Sequence, residues 1–167
     1  GWNKFGQRII EEIDQHVLPG SQLHILEDPS LPESIKLDEL APLEHHEVYL
    51  TEGVTIERSV IETALAKGPF DHVMVLCAHE DLAPIESDAR TLLTLMHVRG
   101  VLNEIGTEGA HATNVVTEVL SSEAVDLAQI ARPDDYIVSQ RFVSLLIAQL
   151  SENPHLKPVL FDILDSQ

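Results

Sequence analysis

The chain has 167 residues, 44% of them hydrophobic, which excludes general disorder and suffices for one domain with a proper core, or one domain plus a short appendage. Its 28 acidic side chains against 10 basic ones give a formal net charge of −18, which excludes nucleic acid and anionic lipid headgroups as partners, since both demand basic patches. No apolar run approaches the ~20 residues of a membrane helix, and the start GWNKFGQRII lacks the shape of a signal peptide. The lone Cys77 cannot form an internal disulfide, so a reducing compartment is its simplest home.

Residues 5–17 carry apolar side chains at Phe5, Ile9, Ile10, Ile13 and Val17, a helical stripe with Glu11, Glu12 and Asp14 on the wet side. The breaker Pro19-Gly20 stops it, and QLHIL (22–26) reads as a short strand. The acidic stretch 27–44, with Pro29, Pro32 and Pro42, is predicted as loop with a short helical turn. EVYL (47–50) is a second strand closed by Gly53, after which Thr55 can cap a helix reaching Ala66. HVMVLC (72–77) runs without alternation, the pattern of a strand covered on both faces. A long helix starts at Ser87 or Asp88 and runs to Ile105. A Gly-rich link leads to the strand NVVTEVL (114–120), a Ser-capped helix over 122–131 and a brief strand over 136–138. Helix then runs from Ser139, breaks at Asn153-Pro154 and resumes to Leu164.

This alternation predicts an α/β fold, a Rossmann-like, doubly wound, mostly parallel sheet. A Rossmann unit opens with a strand and its glycine fingerprint follows at once. Here Gly1-Trp2-Asn3-Lys4-Phe5-Gly6 can be laid on G-x-G-x-x-G, with Asn3 in place of the middle glycine. The chain therefore reads as cut just after its natural first strand, unless Gly1 is a cloning remnant and the likeness at this end partly chance. Gly1 would make the tight turn and Gly6 would let the helix pack close to the sheet. Asn3 tolerates positive φ but fills space meant for a phosphate. Glu27 and Asp28 stand where a ribose-binding carboxylate belongs, and Gly53 where nucleotide-binding folds keep a small residue.

The stretch FDHVMVLCAHEDLAPIESDARTLLTLMHVRGVLNE, followed by VVTEVLSSEAVDLAQIARPDDYIVSQRFVSLLIAQLSENPHLKPVLFDIL, resembles the RCK domains (regulators of K⁺ conductance, TrkA-N-like) of potassium channels and uptake systems. The likeness is greatest to the CASTOR/POLLUX ion-channel group, in which a strand ending in Gly-Trp leads into the first helix and a Pro-Gly-Ser turn precedes the second strand. Those are Gly1-Trp2 and Pro19-Gly20-Ser21 here. The resemblance implies a Rossmann-like lobe over residues 1–138, then crossover and dimerisation helices over 139–167. It implies a homodimer or a larger gating ring on the cytoplasmic side of the membrane, coupled to a membrane-embedded pore in the same chain or a partner. It also implies a ligand, either NAD(H) or another nucleotide, or Ca²⁺ or K⁺. The apolar sets Phe142, Val143, Leu145, Leu146, Leu150 and Val159, Leu160, Phe161, Leu164 are the expected self-association surface.

Other clusters offer less. Glu44-His45-His46-Glu47 concentrates metal-ligating types, but adjacent histidines on an extended chain point to opposite sides, and no zinc-type spacing is present. Glu80, Asp81, Glu86 and Asp88, just past the HVMVLC strand, could offer hard oxygens to Ca²⁺ or could simply be solvated, with Asp88 capping a helix. Arg8, Arg58 and Arg90 are scarce cations that either face a phosphate or pair with acidic neighbours. Ser87, Ser139 and His111 are framed by no G-x-S-x-G elbow, and the glycine turn lacks a Walker lysine. The chain is therefore read as a regulatory domain and not an enzyme. The alternatives are an NAD(P)-binding oxidoreductase domain, or a Rossmann-like assembly domain that has lost its ligand.

Overall fold

A computed structural model describes residues 2–3, 5–31, 42–77, 82–106, 113–130 and 133–164. In chain order the elements are α1 (Gly6–Asp14), β1 (Ser21–Glu27), β2 (His46–Glu52), α2 (Arg58–Leu65), β3 (His72–Val75), α3 (Pro84–Ile105), β4 (Asn114–Val119), α4 (Glu123–Ile130), β5 (Asp135–Val138), α5 (Ser139–Glu152) and α6 (Leu156–Leu164). The order is the one the hydrophobic periodicity predicts, and the fold is mixed α/β with parallel strands, in keeping with a Rossmann-like architecture.

The strands form two sheets. β1 pairs with β2 in parallel, from Ser21 opposite His46 to Glu27 opposite Glu52. β3, β4 and β5 form a three-stranded parallel sheet in that order, with His72 opposite Asn114 and Val116 opposite Asp135. The main core joins α2, β3, α3 and β4 through Ile61, Val75, Leu95, Val98, Val101, Leu102 and Val115. A second cluster seats α4 through Val119, Ala124 and Ala128, with Val138 of β5 beside it. β4 alternates as its sequence asks: Val115, Thr117 and Val119 are buried, and Val116 and Glu118 are less so.

Four local expectations need correction, each for a tertiary reason. α3 begins at Pro84, one turn before Ser87, because proline at the first helical position loses no hydrogen bond there. Asp88 is thus inside the helix, and its carboxylate accepts the N–H groups of Leu120 and Ser121 and the Ser121 hydroxyl, fixing the loop after β4. Thr55 does not cap α2, whose N-cap is Glu57; it bonds Asp28 instead. The strand β3 is covered on one face only. Val73 and Val75 pack into the core, while His72 and Met74 are exposed. Finally, Asp14 is buried, not on the wet side of α1.

Asp14 ties the end of α1 to the start of β2. It accepts the backbone N–H groups of Glu44, His45 and His46 at 2.7, 3.0 and 3.0 Å, and the His46 ring lies 2.9 Å away. Burial pushes this carboxyl up, but those donors outweigh it and hold its pKa at about 2 against an ordinary 3.8. A depressed carboxylate stabilises the fold above its unfolded pKa, and that contribution is lost as pH falls through the folded one. Thermal melts should therefore show no pH dependence from Asp14 above about pH 5 and a progressive loss of its stabilisation between about pH 5 and 2. Asp14→Asn should flatten its share of that acid limb; an unchanged limb would assign it wholly to other carboxylates.

Candidate functional site

The carboxyl ends of the strands gather two polar hubs. The first is Asp28, one residue past β1, with a fully buried side chain. It accepts the Ser30 N–H and hydroxyl at 3.0 and 2.5 Å and the Thr55 N–H and hydroxyl at 3.0 and 3.1 Å. One carboxylate thus clamps the loops leaving β1 and β2. Burial raises its pKa, but the Ser30 and Thr55 donors more than offset this and leave it lowered. Arg90, from the second turn of α3, brings its guanidinium to 3.4 Å of Asp28. Its Nε is buried and has no hydrogen-bond partner among the described residues. Thr94, one turn further along α3, donates to the Thr55 carbonyl and fastens the loop to the helix.

The second hub is Glu118, near the end of β4. It accepts the Asn3 side-chain amide at 3.0 Å, the Cys77 N–H at 3.1 Å and the Ser139 hydroxyl. A single carboxylate therefore joins the turn before α1, the end of β3 and the first residue of α5.

The glycine turn is built around Asn3, which is buried. Its side-chain oxygen accepts the Phe5 N–H and its carbonyl accepts the Gly6 N–H. In a phosphate-binding turn such N–H groups face the ligand; here Asn3 takes two of them. Gly6 is required by close approach, since a Cβ there would lie 2.6 Å from the Trp2 ring. Gly53 donates its N–H to the Glu27 carbonyl, and a Cβ on it would meet Val60 at 2.5 Å. Glu27 is itself buried.

The structure thus brings Asn3, Gly6, Glu27, Asp28 and Gly53 to one edge of the strands, while Gly1, Glu80 and Asp81 lie outside the described residues. Glu86 is exposed in the first turn of α3, away from the Asp88 bonds. His45 and His46 both turn toward Asp14, at 3.7 and 2.9 Å. Among the described residues no group of three or more His, Cys, Asp or Glu is arranged to hold a metal ion. Arg8 pairs with Glu12 at 2.6 Å, and Arg58 with Glu62 and Glu104 at 2.7 and 2.6 Å. Ser87 lies against the Cys77 sulfur. Sequence reasoning missed Glu118, Ser30 and Thr94; the one available signal was an acid among the valines of the strand NVVTEV. Among the described residues no helix is long and apolar enough to cross a membrane.

No family model matches the chain. Along its length it is similar to three plant proteins. The probable ion channel CASTOR of Oryza sativa subsp. japonica is 24% identical over all of this chain and 22% of its own length. The ion channel CASTOR of Lotus japonicus is 24% identical over 98% of this chain and 22% of its own. The ion channel POLLUX of Lotus japonicus is 23% identical over all of this chain and 21% of its own. The resemblance to the CASTOR/POLLUX group read from the motifs therefore extends over the whole chain, which spans about a fifth of the length of these relatives.

Proposed function

We propose that the chain is a cytoplasmic, ligand-sensing regulatory domain of RCK type, part of a potassium or calcium-linked cation channel or transporter. The observation that carries this is the similarity along the whole chain to relatives named as ion channels. Those relatives are named for no catalytic activity, which favours regulation over chemistry. Ligand bound at the carboxyl edge, between the Asp28 and Glu118 hubs, biases the arrangement of a homodimer or gating ring formed through α5 and α6. A membrane-embedded pore in the same or a partner chain reads out that bias. NAD(H) or another nucleotide has Arg90 to meet its phosphate; Ca²⁺ or K⁺ has the net charge of −18 to attract it.

A second reading, an assembly domain without a ligand, draws on the way Asn3 and Asp28 spend their hydrogen bonds inside the fold. Calorimetry with NAD⁺, NADH, ATP, Ca²⁺ and K⁺ separates the two. The sensing reading expects saturable heat with at least one of the five and a change in sedimentation on its addition. Silence with all five sinks sensing and leaves assembly.

A further inference from the structure

We propose that Glu118 is a positioning residue that ties the angle of α5 to the state of the glycine turn, so that a change at the carboxyl edge is read out as a tilt of that helix. The proposal deepens the regulatory reading above and rests on it for one step only, that α5 and α6 pair two copies.

β5 passes into α5 without a loop: Val138 ends the strand and Ser139 begins the helix. Val138 is the N-cap and makes no side-chain cap bond. Serine is a favoured capping residue, yet the Ser139 hydroxyl donates to Glu118 Oε1 instead. Among the described residues this is the one hydrogen bond or ion pair that a side chain of α5 makes outside its own helix. α5 has no buried residue, and neither core cluster contains one of its side chains. A helix held by its chain junction and by one bond at its first residue pivots at that residue. The 14 residues of α5 span about 21 Å. A tilt of about 10° at Ser139 therefore moves the far end by roughly 4 Å, within the range by which packed elements shift between states.

The second oxygen of the same carboxylate faces the glycine turn. Glu118 Oε2 accepts the Asn3 side-chain amide at 3.0 Å and the Cys77 N–H at 3.1 Å. Asn3 in turn accepts the N–H of Phe5, the N-cap of α1. One planar, rigid group thus stands between the start of α1 and the start of α5. Glu118 is half-buried, on the less covered face of β4. A ligand that displaces Asn3, or draws on the carboxylate itself, moves both oxygens together and changes what Oε1 offers Ser139.

The experiment reads the distance between spin labels on Ala66→Cys, at the exposed end of α2, and Glu152→Cys, at the far end of α5. Cys77 is buried and stays unlabelled. Labelled chain is diluted into unlabelled chain, so that only distances within one copy are seen. Asn3→Asp keeps the acceptor for Phe5 but sets a second carboxylate against Glu118, and it should shift or broaden the distance by roughly 4 Å. Asn3→Asp with Glu118→Gln exchanges amide and carboxylate, restores their bond and leaves an amide oxygen for Ser139, so the distance should return to that of the parent. Ser139→Ala should reproduce the shift, and Asn3→Asp on top of it should add nothing. A folded Asn3→Asp chain with the parental distance overturns the proposal. So does a folded exchange variant that stays shifted, and so do Asn3→Asp and Ser139→Ala shifts that simply add. If Asn3→Asp does not fold, the connection is read in reverse. In Ser139→Ala the NMR resonances of the Cys77 N–H and the Asn3 side-chain amide should move, and unmoved resonances count equally against Glu118. Sedimentation of the parent tests the pairing step separately: a chain that stays monomeric removes that step, while the intrachain distances still decide the tether.

Discussion

Replacing Phe142 and Phe161 together by glutamate is expected to turn a self-associating chain into a monomer, weakening association by about a thousandfold or more. α5 has no buried residue along its 14 positions, although Phe142, Val143, Leu145 and Ile147 are apolar. In α6, Val159, Phe161 and Ile163 are likewise exposed, Ile163 by 72%. Helices that keep so much apolar surface in water mark an interaction face. Aromatic anchors are worth about 2 kcal/mol or more each at interface centres, and two give about three decades in affinity. Neither phenylalanine touches the two core clusters, so the melting temperature of the variant monomer should stay near that of the parent. Sedimentation velocity over a range of concentrations is the measurement. Because two copies each carry −18, added salt should strengthen parent association by screening. The Phe142→Ser and Phe161→Ser pair separates lost packing from added charge, since it should weaken association without altering the salt dependence. A parent chain that stays monomeric at high concentration and salt would remove the dimer from the proposed mechanism.

Element type and order were legible because they depend on local periodicity. The α1 stripe at Ile9, Ile10 and Ile13, the unbroken HVMV run and the alternation of NVVTEV each need only a few neighbouring residues to be read. What stayed hidden depends on partners more than 25 positions away. In the sequence Asp14 looks solvated, Asp28 looks like a ribose-binding carboxylate and Asp88 like a Ca²⁺ ligand or helix cap; each of them, like Glu118, is a carboxylate holding another part of the fold. Thr55 has the composition of a helix cap, but Asp28 claims both its hydroxyl and its N–H. That Glu27, Asp28 and Gly53 stand at strand ends was legible, since a strand end is local. Their hydrogen-bond partners were not legible, because no spacing rule connects Asn3 with Glu118. The same limit explains β3: a run without alternation predicts cover on both sides, while His72 and Met74 lie on an exposed face.

Asp28→Ala is expected to cost about 3–5 kcal/mol, the scale for removing one partner of a buried charged cluster, and to lower the melting temperature by roughly 10 °C or more. The side chain is fully buried and receives two backbone N–H groups and two hydroxyls, so its loss leaves Ser30 and Thr55 without an acceptor. Arg90 would lose the carboxylate that faces it, and its Nε has no partner among the described residues. Asp28→Asn should fall between parent and alanine. Its amide oxygen can replace one acceptor, but its NH₂ would confront donors. The pH dependence has a fixed sign. The folded pKa is lowered, so the contribution of Asp28 is present above its unfolded value of about 3.8 and declines as pH falls. The gap between parent and Asp28→Ala should therefore narrow in acid. A double-mutant cycle with Arg90→Leu decides where the energy resides. If the stranded guanidinium dominates, Asp28→Ala with Arg90→Leu recovers most of the loss. At 3.4 Å the ion pair is long, whereas the loop donors sit at 2.5–3.1 Å. The expected coupling is therefore about 1 kcal/mol or less, with the larger share of the loss in the loops after β1 and β2. That outcome would leave Arg90 as a cation held at the carboxyl edge by only a weak internal partner, the condition under which an incoming anion can compete for it.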